Sequence, residues 1–501
     1  MNRLRALAFI AGLALAPLAA AVPPAVAIVT QDQVSLRAQP RDSGKAHAVL
    51  WQGEIVEVRG ERMDYLQVYD HRRERAGFVR AGQLRRLALT PEEAPELLAV
   101  LRHLRGAPGS EALGIGFAVA YIQAAPAEAL NGPEGVQALD ALGSFADRLA
   151  QRASVGAAQG KSAQTALSAH LEVAARHGVA FLTHERDGRV QICYEGDAFR
   201  RVLAMGSTSE QRARAALALT RPECAGGDLR ALERRRMDEW RADVLERVDL
   251  KELPGYLRNR VLMRRAAIWA SLAYQHARAE GKPGDGTTAA AAAQRALAEF
   301  GRISKNELTD DDARLYSNAA MRVNASRWAS LPAPAAEAKP GPRPQLLTIA
   351  GQPGETCILL VDAKHDAQRP LAKRCTYGIV WTGSATLNRE GSALALAVQP
   401  TDSWRELWLF RKSGAEWSVL VLPPAAISPD VGYAEFAGWV PGGKEMLVAR
   451  EALGEGKYKR NFELLRLDTL APVRQSSDPA ALGAFQRWQD PAWKQASLSL
   501  R

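Results

Sequence analysis

Four cysteines, two histidines seven residues apart and a short glycine–lysine–serine run are the residues here whose types and spacing could do chemistry. Gly156 to Ser162 reads GAAQGKS, close to the G-x-x-x-x-G-K-[ST] loop whose backbone N–H groups wrap a phosphate. Only three residues separate Gly156 from Gly160 and no strand-like run precedes them, so the stretch reads as a polar helix connection. His184-Glu185 begins like the H-E-x-x-H of a zinc-binding helix, but position 188 is Gly188, and Asp187-Gly188 signals a hairpin instead. His170 and His177 sit two helical turns apart, roughly 10 Å. A zinc ion needs its ligands about 2 Å away, so the pair cannot share one unaided. Asp310-Asp311-Asp312 lacks the glycine and spacing of a calcium loop and reads as acids at a helix N-terminus. No G-x-S-x-G elbow occurs. A carboxylate-based glycosidase stays open, because scattered Asp and Glu side chains become a site only through folding. No catalytic residue, metal site or cofactor is assigned from the sequence.

The cysteines fall as two local pairs, Cys193 with Cys224 and Cys357 with Cys375. Neither has the C-x-x-C spacing of a metal site, and both fit disulfides formed in an oxidising compartment. The first residues agree. Arg3 and Arg5 precede an uncharged apolar stretch from Ala6 to Ala16, then Pro17 and the small residues Ala19-Ala20-Ala21. That order reads as a secretory signal peptide over residues 1–21, with a second A-x-A at Ala25-Val26-Ala27 leaving cleavage at 21 or 27 open. No later run reaches the apolar length of a transmembrane helix, so a periplasmic or secreted protein is expected.

The chain has 501 residues and a net charge of +10, with 24% charged and 47% hydrophobic residues. That composition is ordinary globular material, and the length implies two or three domains. The positive charge is interleaved with acids. In the densest cluster, Arg234-Arg235-Arg236 with Arg230 and Arg241, the acids Glu233, Asp238, Glu239 and Asp243 dilute it. A solvated helix face is the reading, and no nucleic-acid partner is expected.

Residues 26–88 show short apolar alternations separated by turn residues, the pattern of a small barrel of short strands, with Gly53, Gly60 and Gly77 at the expected turns. Val34-Ser35-Leu36-Arg37, Pro40, Gly53, Val56, Val58, Asp64-Tyr65-Leu66-Gln67-Val68 and Gly77-Phe78-Val79 resemble the bacterial SH3 domain (SH3b, SH3 type 3). Tyr65 stands where that family often has tryptophan, and Gln39-Pro40 replaces a common Gly-Pro turn. The resemblance implies an SH3-like barrel that binds peptidoglycan peptide or another envelope protein. Trp51 and Tyr65 are the candidate ligand-binding aromatics; for each ring the alternative is a place in the barrel core.

Residues 90–330 read as mainly helical. Leu97, Leu98, Leu101 and Leu104 share one side of a helix, Leu257, Val261, Ile268 and Leu272 another. Leu229, Leu232, Arg236, Trp240, Val244 and Val248 mark a third stripe, and Thr309 with Asp312 reads as a capping box. A hairpin is expected between Val179 and Tyr194. Leu331 to Pro344 carries five prolines and forms a linker.

Beyond it, residues 345–501 return to strands, with candidates at Leu346–Ile349, Cys357–Asp362, Ala393–Gln399, Glu406–Arg411, Trp417–Leu422, Glu445–Arg450 and Glu463–Asp468. Two stretches repeat: Asn388-Arg389-Glu390-Gly391 leads into Ala393–Leu396 and Glu406–Leu409, and Val440-Pro441-Gly442-Gly443 leads into Glu445–Val448 and Glu463–Leu467. The repeat is similar to WD40-like propeller blades of periplasmic TolB-type proteins, implying a partial or degenerate propeller; a small β-sandwich fits the length equally. The expected whole is a multidomain chain: SH3-like barrel, helical middle, all-β C-terminal domain. Its expected role is a non-enzymatic cell-envelope binding or scaffolding protein. The alternative is a cell-wall hydrolase with catalysis in the helical middle.

Overall fold

The computed structural model describes residues 25–154, 160–186, 189–226, 229–280, 287–331, 342–426, 431–454 and 457–496. Residues 1–24, with the segment read as a signal peptide, most of the GAAQGKS run, the Asp187-Gly188 pair and most of the proline-rich stretch lie outside them. The chain divides into two compact units, residues 1–182 with 192–195 and residues 183–191 with 196–501.

The first unit opens with seven short strands: β1 (Val26–Val29), β2 (Val34–Arg37), β3 (Ala46–Leu50), β4 (Ile55–Arg62), β5 (Tyr65–Asp70), β6 (Arg75–Arg80) and β7 (Leu84–Leu87). They form one antiparallel sheet in the order β3-β2-β6-β5-β4-β1-β7. The sheet curls around Val29, Val34, Leu36, Leu50, Val56, Leu66, Val68 and Val79. Its end strands β3 and β7 do not pair with each other, so it is an open sheet and not the closed barrel the alternation suggested. Strand alternation splits β1 between two cores. Ala27 and Val29 face into the curl, while Ile28 faces helices. Two of the three expected turn glycines lie inside strands: Gly60 at a bulge of β4 and Gly77 in β6 against Leu36.

Those helices are α1 (Ala94–Leu104), α2 (Glu111–Ala124), α3 (Ala127–Asn131), α4 (Pro133–Ser154) and α5 (Lys161–Arg176). α2 is buried around most of its circumference, as its nearly uncharged sequence requires. Leu97, Leu98 and Leu101 of α1, Phe145 and Leu149 of α4 and Leu167 of α5 close around it. Each such aliphatic or aromatic side chain taken fully from water contributes about 1.5–3 kcal/mol before the entropy of ordering is charged.

A two-stranded hairpin follows, β8 (Phe181–Arg186) with β9 (Arg189–Tyr194). The second unit then begins with α6 (Asp197–Ala204), α7 (Ser209–Leu219), α8 (Ala231–Glu246), α9 (Gly255–Glu280), α10 (Thr287–Gly301) and α11 (Asp312–Ser326). Leu257, Val261, Ile268 and Leu272 line the buried side of α9. The stripe read on α8 is different. Leu232 and Trp240 are 49% and 40% exposed; Val244 and Val248 of the stripe are buried, and with them Asp238, Arg241, Ala242 and Leu245. Thr309 makes only half of a capping box: its N–H and hydroxyl both donate to the Asp312 carboxylate.

The strands beyond α11 form two sheets, one of three strands and one of eight built from two antiparallel meanders. β10 (Gln345–Ala350), β11 (Thr356–Val361) and β12 (Ala372–Thr376) make the first. β13 (Ile379–Leu387), β14 (Ala393–Thr401), β15 (Trp404–Ser413) and β16 (Glu416–Leu422) make a four-stranded meander. β17 (Gly432–Trp439), β18 (Glu445–Gly454), β19 (Lys457–Arg466) and β20 (Pro472–Ser476) make a second, joined to the first by a short parallel pairing of β15 with β17. The two repeated sequence stretches occupy equivalent places, the turn before β14 or β18 and the strand pair after it.

The three layers stack face to face. Leu394, Leu396 and Val398 of β14 pack towards Ile358 and Leu360 of β11, while Ala393 and Ala395 pack towards Ala434, Met446 and Val448 of the second meander. The far face of that meander, through Leu447, Ala449 and Phe462, is covered by Met321 of α11 and by Leu482, Phe485 and Trp493 at the short helices α12 (Gly483–Trp488) and α13 (Pro491–Ala496). Trp404 and Trp408 are buried among these layers.

Candidate functional site

In the first unit, the turn between β3 and β4, Trp51 to Glu54, meets α5. The seven-residue spacing of His170 and His177 places both on one helix face, and both reach this turn. His170 Nε2 lies 2.8 Å from Asp32 Oδ1, and Gln52 Nε2 reaches Asp32 Oδ2 at 3.1 Å and the Gly109 carbonyl at 3.0 Å. The Trp51 ring meets His170 edge-on with centroids 6.1 Å apart. His177 Nε2 donates to the Gly53 carbonyl at 2.8 Å. Next along the chain, buried Glu54 accepts from Arg73 at 3.1 Å and from Arg176 at 3.0 Å, and Arg73 also binds Asp70.

Trp51 and Tyr65 do not form one ligand surface. Trp51 is half-buried beside His170, whereas Tyr65 is 3% exposed at the start of β5. Its hydroxyl donates to Asp42 Oδ1 at 2.7 Å, and Arg80 lies over its ring. Tyr65 therefore takes the core place that was the alternative for each ring. Sequence reasoning missed Asp32, Gln52 and Glu54 altogether. Their partners are 118 to 138 residues away for the His170 contacts, a distance no local pattern spans.

An aspartate–histidine pair can activate a nucleophile, but here it fastens two layers. His170 is buried, its Nδ1 makes no hydrogen bond among the described residues, and no hydroxyl or thiol is bonded to it there. Burial raises the Asp32 pKa, yet the hydrogen bond and charge of His170, with the bonds from Gln52, outweigh that and hold it below the usual carboxylate value. Burial pushes the His177 imidazole below its ordinary value of about 6.5, helped by Arg176 and opposed by the Gly53 carbonyl and Glu54.

The sign of the resulting pH effect follows. A histidine kept neutral in the fold leaves stability complete above the unfolded pKa. That stability falls as the pH drops from there towards the lower folded pKa, because the unfolded chain takes up the proton first. Asp32 acts in the same direction at lower pH. Hydrogen exchange of α5 is therefore expected to lose protection as the pH falls below about 6.5, and His177→Gln, which keeps a donor for Gly53, to flatten that loss. An equal loss in the variant would remove His177 as its cause.

The second unit holds another polar cluster. Ser271 Oγ on α9 lies 2.9 Å from Asp238 Oδ2 on α8 and 3.3 Å from Asp402 Oδ2 in the β14–β15 turn. Arg241 sits 3.2 Å from Asp238 and Arg322 3.4 Å from Asp402. Two neighbouring carboxylates are the raw material of glycoside chemistry, but each is already engaged by an arginine, and the cluster ties α8, α9 and α11 to the strands.

Cys357 and Cys375 form a disulfide between opposed residues of β11 and β12. Cys193 and Cys224 are disulfide-bonded as well, and no cysteine is free. Among the described residues no helix is long and apolar enough to cross a membrane. The fold and these clusters define a multidomain chain of an antiparallel sheet, a helical middle and a C-terminal stack of strands. Compared with known protein families, curated proteins and solved structures, the chain finds no match in any of the three.

Proposed function

We propose that this is an exported, non-enzymatic cell-envelope protein that binds or scaffolds through its SH3b-like N-terminal sheet and its blade-like C-terminal strands. The observation that carries the reading is the use made of the polar side chains. Asp32, Glu54, His177, Asp238 and Asp402, groups able to do acid–base work, are spent on joining one element to another. Support for the SH3b reading comes from seven short strands curled about one core, and for the blade reading from two four-stranded meanders stacked face to face. The disulfides fit an oxidising compartment.

The ligand proposed is peptidoglycan peptide or an envelope protein, met by the outer face of the first sheet. There Tyr69 lies under Arg59, 3.8 Å from its ring centroid, and beside His71. Co-sedimentation of the mature chain with isolated peptidoglycan across a salt series tests it. Salt-resistant pelleting that Tyr69→Ala reduces about tenfold, close to 1.4 kcal/mol, is the expected result. Pelleting abolished by moderate salt would show only a chain of charge +10 adsorbing to an anionic polymer. Soluble fragments released from the wall would overturn the non-enzymatic reading in favour of a hydrolase.

A further inference from the structure

We propose that reduction of Cys357–Cys375 converts the end of the β10–β12 sheet into a binding site for a thiophilic divalent cation such as Zn2+ or Cd2+, with Glu355 as the third ligand. The absence of C-x-x-C spacing argued against metal in the sequence, but strand pairing supplies the proximity that sequence spacing does not. Cys357 and Cys375 are directly opposed in the β11–β12 register. Glu355, one residue before β11, brings a carboxylate oxygen within 4.8 Å of both sulfurs, the one such group of three among the described residues.

The turn leaves room for this. A Cβ on Gly351 would lie 2.4 Å from Glu355 Oε2 and 3.0 Å from Cys357 Sγ, so the glycine keeps open the space between carboxylate and sulfur. Glu355 Oε2 accepts a hydrogen bond from the Gln352 N–H at 3.0 Å, which aims it inward. Cys357 is buried, and Cys375 and Glu355 are half-buried.

Metal–sulfur bonds of about 2.3 Å in a tetrahedron set two sulfurs about 3.8 Å apart. Cross-strand neighbours reach that spacing once the S–S bond is gone. Two thiolates favour zinc or cadmium over magnesium or calcium, and three protein ligands leave a fourth position for water. The balance is simple. A dithiol reductant passes two electrons and two protons to the disulfide and becomes a disulfide itself. The two thiols then release two protons to solvent as two metal–sulfur bonds form.

The test uses the full mature chain, reduced, freed of reductant without air and titrated with Cd2+ alone. The readout is the ultraviolet thiolate-to-metal charge-transfer band. One equivalent is expected to bind with two thiolates in the wild type and in Cys224→Ser, and the two-thiolate band to be lost in Cys375→Ser. Glu355→Gln, which leaves the disulfide intact before reduction, should weaken binding by at least the roughly 10- to 100-fold loss that removal of an outer-shell partner typically causes. No band, a band indifferent to Cys375→Ser, or affinity indifferent to Glu355→Gln would each overturn the proposal. If reduction unfolds the chain, its thiolates bind without regard to Glu355, and that last comparison overturns it.

Discussion

Glu435→Gln is expected to cost the second unit about 3–5 kcal/mol, the range for breaking a fully buried ion pair. Glu435 lies in β17, 3% exposed, between two buried arginines. One is Arg327, just after α11; the other is Arg405 at the start of β15, which is fully buried and 3.4 Å from Glu435 Oε2. Burial pushes the Arg327 guanidinium down to about 10 and that of Arg405 in the same direction, which is the physical sign of cations poorly compensated once water is gone. Arg405 also donates to the Asn324 and Ala325 carbonyls at the end of α11, so the cluster pins that helix to the strands. Glutamine keeps the shape and removes the charge that both arginines pair with. Hydrogen exchange resolved to α11 and β17 reads the loss without assuming that a two-unit chain unfolds in one step. Protection unchanged in both elements would mean that the arginines find compensation elsewhere.

Gly53→Ala is expected to destabilise the first unit by about 2–5 kcal/mol, the sum of a left-handed backbone penalty and an overpacking cost. Gly53 has φ +87°, and a Cβ there would lie 2.3 Å from the Ala112 carbonyl oxygen of α2. Backbone, not a movable side chain, is in the way. The same residue presents the carbonyl that His177 holds, so both the α2 and α5 contacts of the turn suffer together. Gly106→Ala, with nothing within 4 Å of its Cβ, is the control; its effect should stay within about 1 kcal/mol. A thermal shift of the same size for both variants would refute the steric account.

Much of the fold was legible where one face repeats locally. The α9 stripe and the strands β14, β15, β18 and β19 carry strong apolar runs because both their faces are buried. Strands β12, β13 and β20 went unread: AKRCT is polar, IVWTGSATL is interrupted by Gly383 and Ser384, and PVRQS is an edge strand opened by proline. Of the α8 stripe, the C-terminal half, Val244 and Val248, is buried as read, while the N-terminal half, Leu232 and Trp240, faces outward. The side carrying Asp238 and Arg241 wins the interior because Ser271, Gln275 and the Arg221 carbonyl satisfy it. Nothing in the residues around His170 announces Asp32. Of the candidate site, only Trp51 and the shared face of the two histidines could be found before folding.

The C-terminal layers have unlike ends. Each inner sheet face meets another sheet, but the outer face of the second meander is sealed by Leu482, Phe485 and Trp493. Loss of that aromatic lid would bare the face formed by Leu447, Ala449 and Phe462 to water and turn it into an exposed apolar patch.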